Sequence, residues 1–114
     1  MISFACKPID FKEILTCTFS MNKTEFTLFE FLEKQTEPLC TSTIAEIMKK
    51  DRTTIQKAIK SLSEKEIVDK FQVNLDKGGY TFVYSLKNKE ILKHKMLNSV
   101  SGWTNEVTNK IKSW

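Results

Sequence analysis

Residues 41–68 read TSTIAEIMKKDRTTIQKAIKSLSEKEIV, and the spacing of their apolar side chains decides the fold. Thr41 suits a helix N-cap, and Ile44, Ile47 and Met48 fall at helical intervals behind it, which predicts an inward face for all three. Ala45 is small where a second helix has to cross closely, and the first helix is expected to end near Lys50. Asp51 then caps a second helix, over 52–65, whose inward residues Ile55, Ala58, Ile59 and Leu62 are three or four positions apart. Two amphipathic helices joined by so tight a turn make a helix-turn-helix.

Burying that inward face leaves Arg52, Thr53, Gln56, Lys57 and Lys60 on the outer side of the second helix. Arg, Lys and Gln reach base edges and phosphates, while Thr53 and Thr54 are short enough to let a helix backbone come close to a duplex. The Gln56 amide matches the donor and acceptor edge of adenine, and the Arg52 guanidinium can do the same for guanine. Lys57 and Lys60 suit phosphates. Thr41 and Ser42 stand at a helix start, where free amides favour an anion, although capping alone explains Thr41 equally well.

Working outward, the period changes to two after Val68. Phe71, Val73 and Leu75 alternate with Lys70, Gln72 and Asn74; Asp76, Lys77, Gly78 and Gly79 form a turn; Tyr80, Phe82, Tyr84 and Leu86 alternate on the return. This is a β-hairpin with Lys77 near its tip. Upstream, Asn22 with Glu25 reads as a capping box ahead of an apolar face built from Phe26, Leu28, Phe29, Phe31 and Leu32, closed off by Pro38, and Leu39 with Cys40 suits a brief extended segment. Asp10 with Glu13 repeats the box ahead of Phe11, Ile14 and Leu15. Downstream, Asn88 caps a last helix whose Leu92, Met96, Val100, Trp103, Val107, Ile111 and Trp114 form one apolar stripe, with Gly102 as a place to bend.

The expected organisation is therefore a leader over 1–9, a DNA-binding domain over 10–87 and a dimerisation helix over 88–114. The fold class is mainly α with a small β-hairpin wing (α+β), a winged helix-turn-helix with a long C-terminal helix. Residues 88–114, if wholly helical, extend about 40 Å at ~1.5 Å per residue, longer than a domain of this size covers. That length predicts a homodimer joined through Leu92, Met96, Val100, Trp103, Val107 and Ile111.

Composition sets the partner class. The 114 residues carry a net charge of +4. It is distributed unevenly, with −2 over residues 1–40, +2 over 41–80 and +4 over 81–114. Basic character begins where the helix-turn-helix begins, which suits double-stranded DNA. The three cysteines, Cys6, Cys17 and Cys40, are widely spaced beside a single histidine, His94, so neither a zinc framework nor a disulfide set is readable, and no metal or cofactor is expected. An odd cysteine count without a secretory signal points to a cytoplasmic location, and no apolar run is long enough to span a membrane. No nucleophile motif, phosphate-cradling loop or carboxylate pair with a histidine is present, so an enzyme is not expected. Lys65 reads as a solvated surface charge.

The stretch IAEIMKKDRTTIQKAIKSLSEKEIV and the hairpin that follows resemble the winged helix-turn-helix of MarR-like and TrmB-like transcriptional regulators, especially small archaeal ones. The resemblance covers residues 22–86. It implies a recognition helix in the major groove, a wing against the flanking backbone, and transcription regulation as the role. The sequence departs from the family where it has Lys49 and Glu66 in place of two common glycines, and where its wing lacks the Asp and Arg pair typical of MarR proteins. If either Lys49 or Glu66 takes a left-handed conformation, the strain is on the order of 1 kcal/mol. Two rival readings stand beside this one: a winged-helix protein-contact module of the transcription machinery, and a repressor that responds to a small-molecule effector at the dimer interface or to oxidation of its cysteines.

Overall fold

A computed structural model of the chain describes residues 8–114. Most of the expected leader, and with it Cys6, lies outside the described residues. The chain divides into two compact units, one made of the segment up to Met21 with Lys89–Trp114, the other of Asn22–Asn88.

The larger unit opens with helix α2 (Lys23–Glu33), after α1 (Phe11–Phe19) of the other unit. The Asn22 side chain accepts the Glu25 backbone N–H at 2.8 Å, which fixes the first turn of α2. Strand β1 (Leu39–Cys40) leads into α3 (Thr41–Met48), and α4 (Arg52–Glu64) follows across a three-residue turn. Strands β2 (Val68–Asn74) and β3 (Tyr80–Leu86) form the wing. The antiparallel sheet has the order β1-β3-β2, and β2 pairs with β3 without interruption from Val68↔Leu86 to Asn74↔Tyr80. This is a winged helix-turn-helix. Its core holds Leu28, Ile44, Ile55, Leu62 and Ile67, all fully buried.

Both turns that flank α4 use left-handed residues that are not glycine. Lys49 has φ 56° and Glu66 has φ 60°. Each follows a helix whose last carbonyls are closed by backbone donors, Lys50 N to Ala45 O and Ile67 N to Leu62 O, both at 2.9 Å. The strain expected of these two residues is therefore present, on the order of 1 kcal/mol apiece.

Several local expectations are corrected. The N-cap of α3 is Cys40, in extended conformation, and Thr41 is the first helical residue. Ile47 is 55% exposed, because Ile44, Ala45 and the half-buried Met48 already fill the narrow face that an eight-residue helix can bury. Asp51 is the N-cap of α4, but its side chain makes no cap bond to the backbone; its carboxylate is 3.5 Å from the Thr54 hydroxyl. In the hairpin Phe71 stands opposite Val83 and Gln72 opposite Phe82, so the two apolar series lie on opposite faces of the wing. One face carries Phe71 and Val73; the other carries Tyr80, Phe82 and Tyr84, with the Lys70 ammonium 4.0 Å from the centre of the Phe82 ring.

The second unit pairs α1 with α5 (Lys89–Lys112). Asp10 caps α1 by accepting the Lys12 N–H at 3.2 Å. The buried side chains here are Leu15, Phe19, Leu92 and Met96, while Phe11, expected on the inner side of α1, is exposed in its first turn. Helix α5 runs unbroken through Gly102 for 24 residues.

Candidate nucleic-acid interface

Helix α4 rests on α3 and α2 through Ile55, Ala58, Ile59 and Leu62. On its opposite side Arg52, Thr53, Gln56, Lys57 and Lys60 are all exposed. At ~100° per residue these five occupy an arc of about 140°, and from Arg52 to Lys60 the helix rises about 12 Å, close to the width of the major groove. Among the described residues, none of the five forms a side-chain hydrogen bond or ion pair, so three cations and one amide are left to meet an outside partner.

Thr54 is only half-buried; besides approaching Asp51, it borders a cleft of about 300 Å³ together with Asn22, Thr24, Glu25, Lys57 and Ala58. Ser42 is exposed and Thr41 half-buried in the first turn of α3. Lys77 is exposed in the hairpin turn, where Gly78 and Gly79 adopt φ of 92° and 77°. Of the six residues expected at a dimer interface, Leu92 and Met96 are buried inside the single chain; Val100, Trp103 and Ile111 are exposed and Val107 is half-buried.

The sequence reading missed the group that anchors the far end of α4. The Glu25 carboxylate, in a residue only 6% exposed, accepts the Ser61 hydroxyl at 2.8 Å and the Lys65 ammonium at 2.7 Å. Burial pushes the Glu25 carboxyl up, but the Lys65 and Ser61 hydrogen bonds, the Lys65 charge and the Asn22 cap outweigh it, and the net result lies below the ordinary value. Lys65 is accordingly no solvated charge; it ties the end of α4 to the first turn of α2. Ser61 and Lys65 at i and i+4 on one helix were the available signal, and reading Glu25 as a capping residue alone concealed its second role.

Cys17 is exposed, and Cys40 is half-buried with its Sγ 3.1 Å from the Thr43 Oγ1. That hydroxyl, helped against the upward push of burial by backbone amides at the start of α3, holds the Cys40 thiol below its ordinary value.

Known proteins share this architecture. The chain matches the DnaD N-terminal domain over residues 14–107. A possible transcriptional regulator from Methanosarcina mazei Go1 has a solved structure that superposes with a TM-score of 0.86 at 30% identity, covering 100% of this chain and 96% of that one. An uncharacterised protein of Methanocaldococcus jannaschii is 27% identical, over 94% of this chain and 86% of that protein. A MarR-like transcriptional regulator from Thermotoga maritima shares the fold at a TM-score of 0.51 and 20% identity, over 90% of this chain and 84% of that one. The expected fold and its likeness to MarR-like and archaeal regulators are thus borne out.

Proposed function

The chain belongs to the DnaD N-terminal domain family, and from that premise we propose that it is a sequence-specific, double-stranded-DNA-binding transcriptional regulator that acts as a homodimer. The observation that carries the reading is the outer arc of α4, where Arg52, Gln56, Lys57 and Lys60 are exposed and have no partner among the described residues. The likeness to a possible transcriptional regulator along the whole chain supports the same role. No enzymatic step is assigned.

In this reading α4 enters the major groove. Gln56 and Arg52 read base edges, Thr53 and Thr54 allow close approach, and Lys57 and Lys60 bind phosphates, with Thr41, Ser42 and Lys77 meeting the flanking backbone. A twofold dimer places two such helices roughly 34 Å apart on a near-palindromic site. If the dimer neutralises about six phosphates, affinity falls about a thousandfold between roughly 50 and 200 mM salt.

One observation favours a rival. One face of the wing exposes Phe71 and Val73, an apolar surface that suits contact with another protein. Duplex binding titrated at both salt concentrations decides between the two. The DNA reading expects a steep salt response that Lys57→Ala and Lys60→Ala each flatten by about two units of slope, one for each subunit of the dimer. A flat response, or no duplex affinity, overturns it in favour of the wing as the working surface.

A further inference from the structure

The apolar stripe of α5 changes character along its length. Leu92 and Met96 are buried in the chain itself, whereas Val100 is 47% exposed, Trp103 50% and Ile111 68%, and Trp114, two residues past the end of α5, is fully exposed. Val107, between them, is half-buried.

The spacing of these five residues is symmetric. From 100 to 103, 107, 111 and 114 the steps are three, four, four and three, a series that reads the same in both directions about Val107. A twofold axis requires self-complementarity: if residue i of one chain meets j of the other, then j meets i. Antiparallel α5 helices crossing at Val107 satisfy this at every position. Val107 meets its own copy, Trp103 meets Ile111, and Val100 meets Trp114. Each tryptophan then faces a smaller aliphatic residue, so bulk is matched to space. The charged neighbours also fit, since this register sets Glu106 opposite Thr108 and Lys110 opposite Thr104, and no like charges meet.

Val100 does not offer a bare helix surface to the arriving indole. It is the shared wall of two hollows between α1 and α5. One, of about 320 Å³, is lined by Phe11, Ile14, Met96, Leu97 and Val100, with Lys93 at its edge. The other, of about 300 Å³, is bounded by Ile14, Cys17, Thr18, Ser99, Val100 and Trp103. The first is apolar throughout apart from Lys93, as an indole requires.

Resting on the homodimer proposed above, we infer that two chains join through antiparallel α5 helices about a twofold axis at Val107, each seating Trp114 in the other's apolar groove between α1 and α5. The area is sufficient. The four tryptophans contribute on the order of 600 Å², given about 150–250 Å² for a fully buried aromatic and half of that for Trp103. The paired Val100, Val107, Ile111, Leu97 and Phe11 carry the total into the range of about 1,200–2,000 Å² typical of stable interfaces.

The test uses the full chain with Cys6, Cys17 and Cys40 replaced by serine, and Val107→Cys added. Under copper–phenanthroline and oxygen, the two introduced thiols on the axis are oxidised to one intermolecular disulfide, giving a covalent dimer. Val100→Cys and Trp114→Cys chains each remain unlinked alone and link when mixed. Trp114→Ala, which removes both anchors of the twofold dimer, weakens dimerisation by about a thousandfold, while the unfolding midpoint of the dilute chain stays in place. Self-linking at 100 or 114, with none at 107, in a chain that light scattering shows to be a dimer, overturns the axis and leaves the dimer standing. A single-chain mass at tens of micromolar removes the homodimer itself.

Discussion

Helices α4 and α5 carry the same kind of apolar stripe, with steps of three and four residues, and the chain treats them differently. All four inward residues of α4 are buried within its own unit, at most 5% exposed. On α5 only Leu92 and Met96 are buried, and the second half of the helix presents its stripe outward. Periodicity therefore states that a face will be buried and says nothing of what buries it. An inward face filled by its own domain leaves the opposite face free, as on α4, where we propose DNA recognition; a face left unfilled is open to a partner, as on α5, where we propose a second copy.

Core truncation gives the largest expected contrast. Leu62→Ala, at a fully buried position on α4, costs about 3–4 kcal/mol of stability in chemical unfolding. Ile111→Ala on α5 changes the unfolding of the dilute chain by less than about 0.5 kcal/mol, the usual range for an exposed site. A large loss at Ile111 in dilute solution would break the distinction between the two helices.

The next effect concerns the tether of α4. Removing the Glu25 carboxylate takes away the acceptor that Ser61 and Lys65 share in a buried residue, and Glu25→Ala costs about 3 kcal/mol. Glu25→Gln keeps an acceptor for Ser61 and costs less. Because the folded carboxyl lies below its ordinary value, its contribution is fully present above the ordinary carboxylate range and is lost as pH falls through the folded value. Acid titration of wild type against Glu25→Gln checks the sign, since the variant loses that part of the pH dependence.

Smaller effects come from the turns. Lys49→Gly relieves a left-handed residue, and with the entropy cost of glycine set against that relief the net gain is about 0.5 kcal/mol. Ser63, whose buried hydroxyl has no partner among the described residues, gains a similar amount on replacement by alanine. Thermal melts of these variants measure both, and a loss at Lys49→Gly would mean that the lysine side chain does more than tolerate its turn.

The helix-turn-helix and its wing were legible because the apolar period changes from helical to alternating at the places where the chain turns between Asn22 and Leu86. The outer residues of α4 followed from its inner ones by geometry alone. What stayed hidden depended on distances across the chain. Glu25 has the spacing of half a capping box, and no local pattern tells that its carboxylate faces Ser61 and Lys65, 36 and 40 residues away. Ile47 reads as inward because its spacing from Ile44 is helical, yet α3 is too short to bury a broad face. Alternation along each strand of the hairpin does not tell which face of the other strand it shares; the register, with Phe71 against Val83, settles that. The symmetry of the α5 stripe is visible as numbers, but it acquires meaning only once its first half is known to be filled.

Selection of bound duplexes from a random pool tests the central claim most directly. Recovery of an inverted repeat whose half-sites lie about one helical turn apart, with base preference relaxed in Gln56→Ala and retained in Lys60→Ala, is the predicted result. Recovery of no common sequence, or of one indifferent to Gln56, Arg52 and the lysines of α4, would contradict the assignment of its outer arc to DNA.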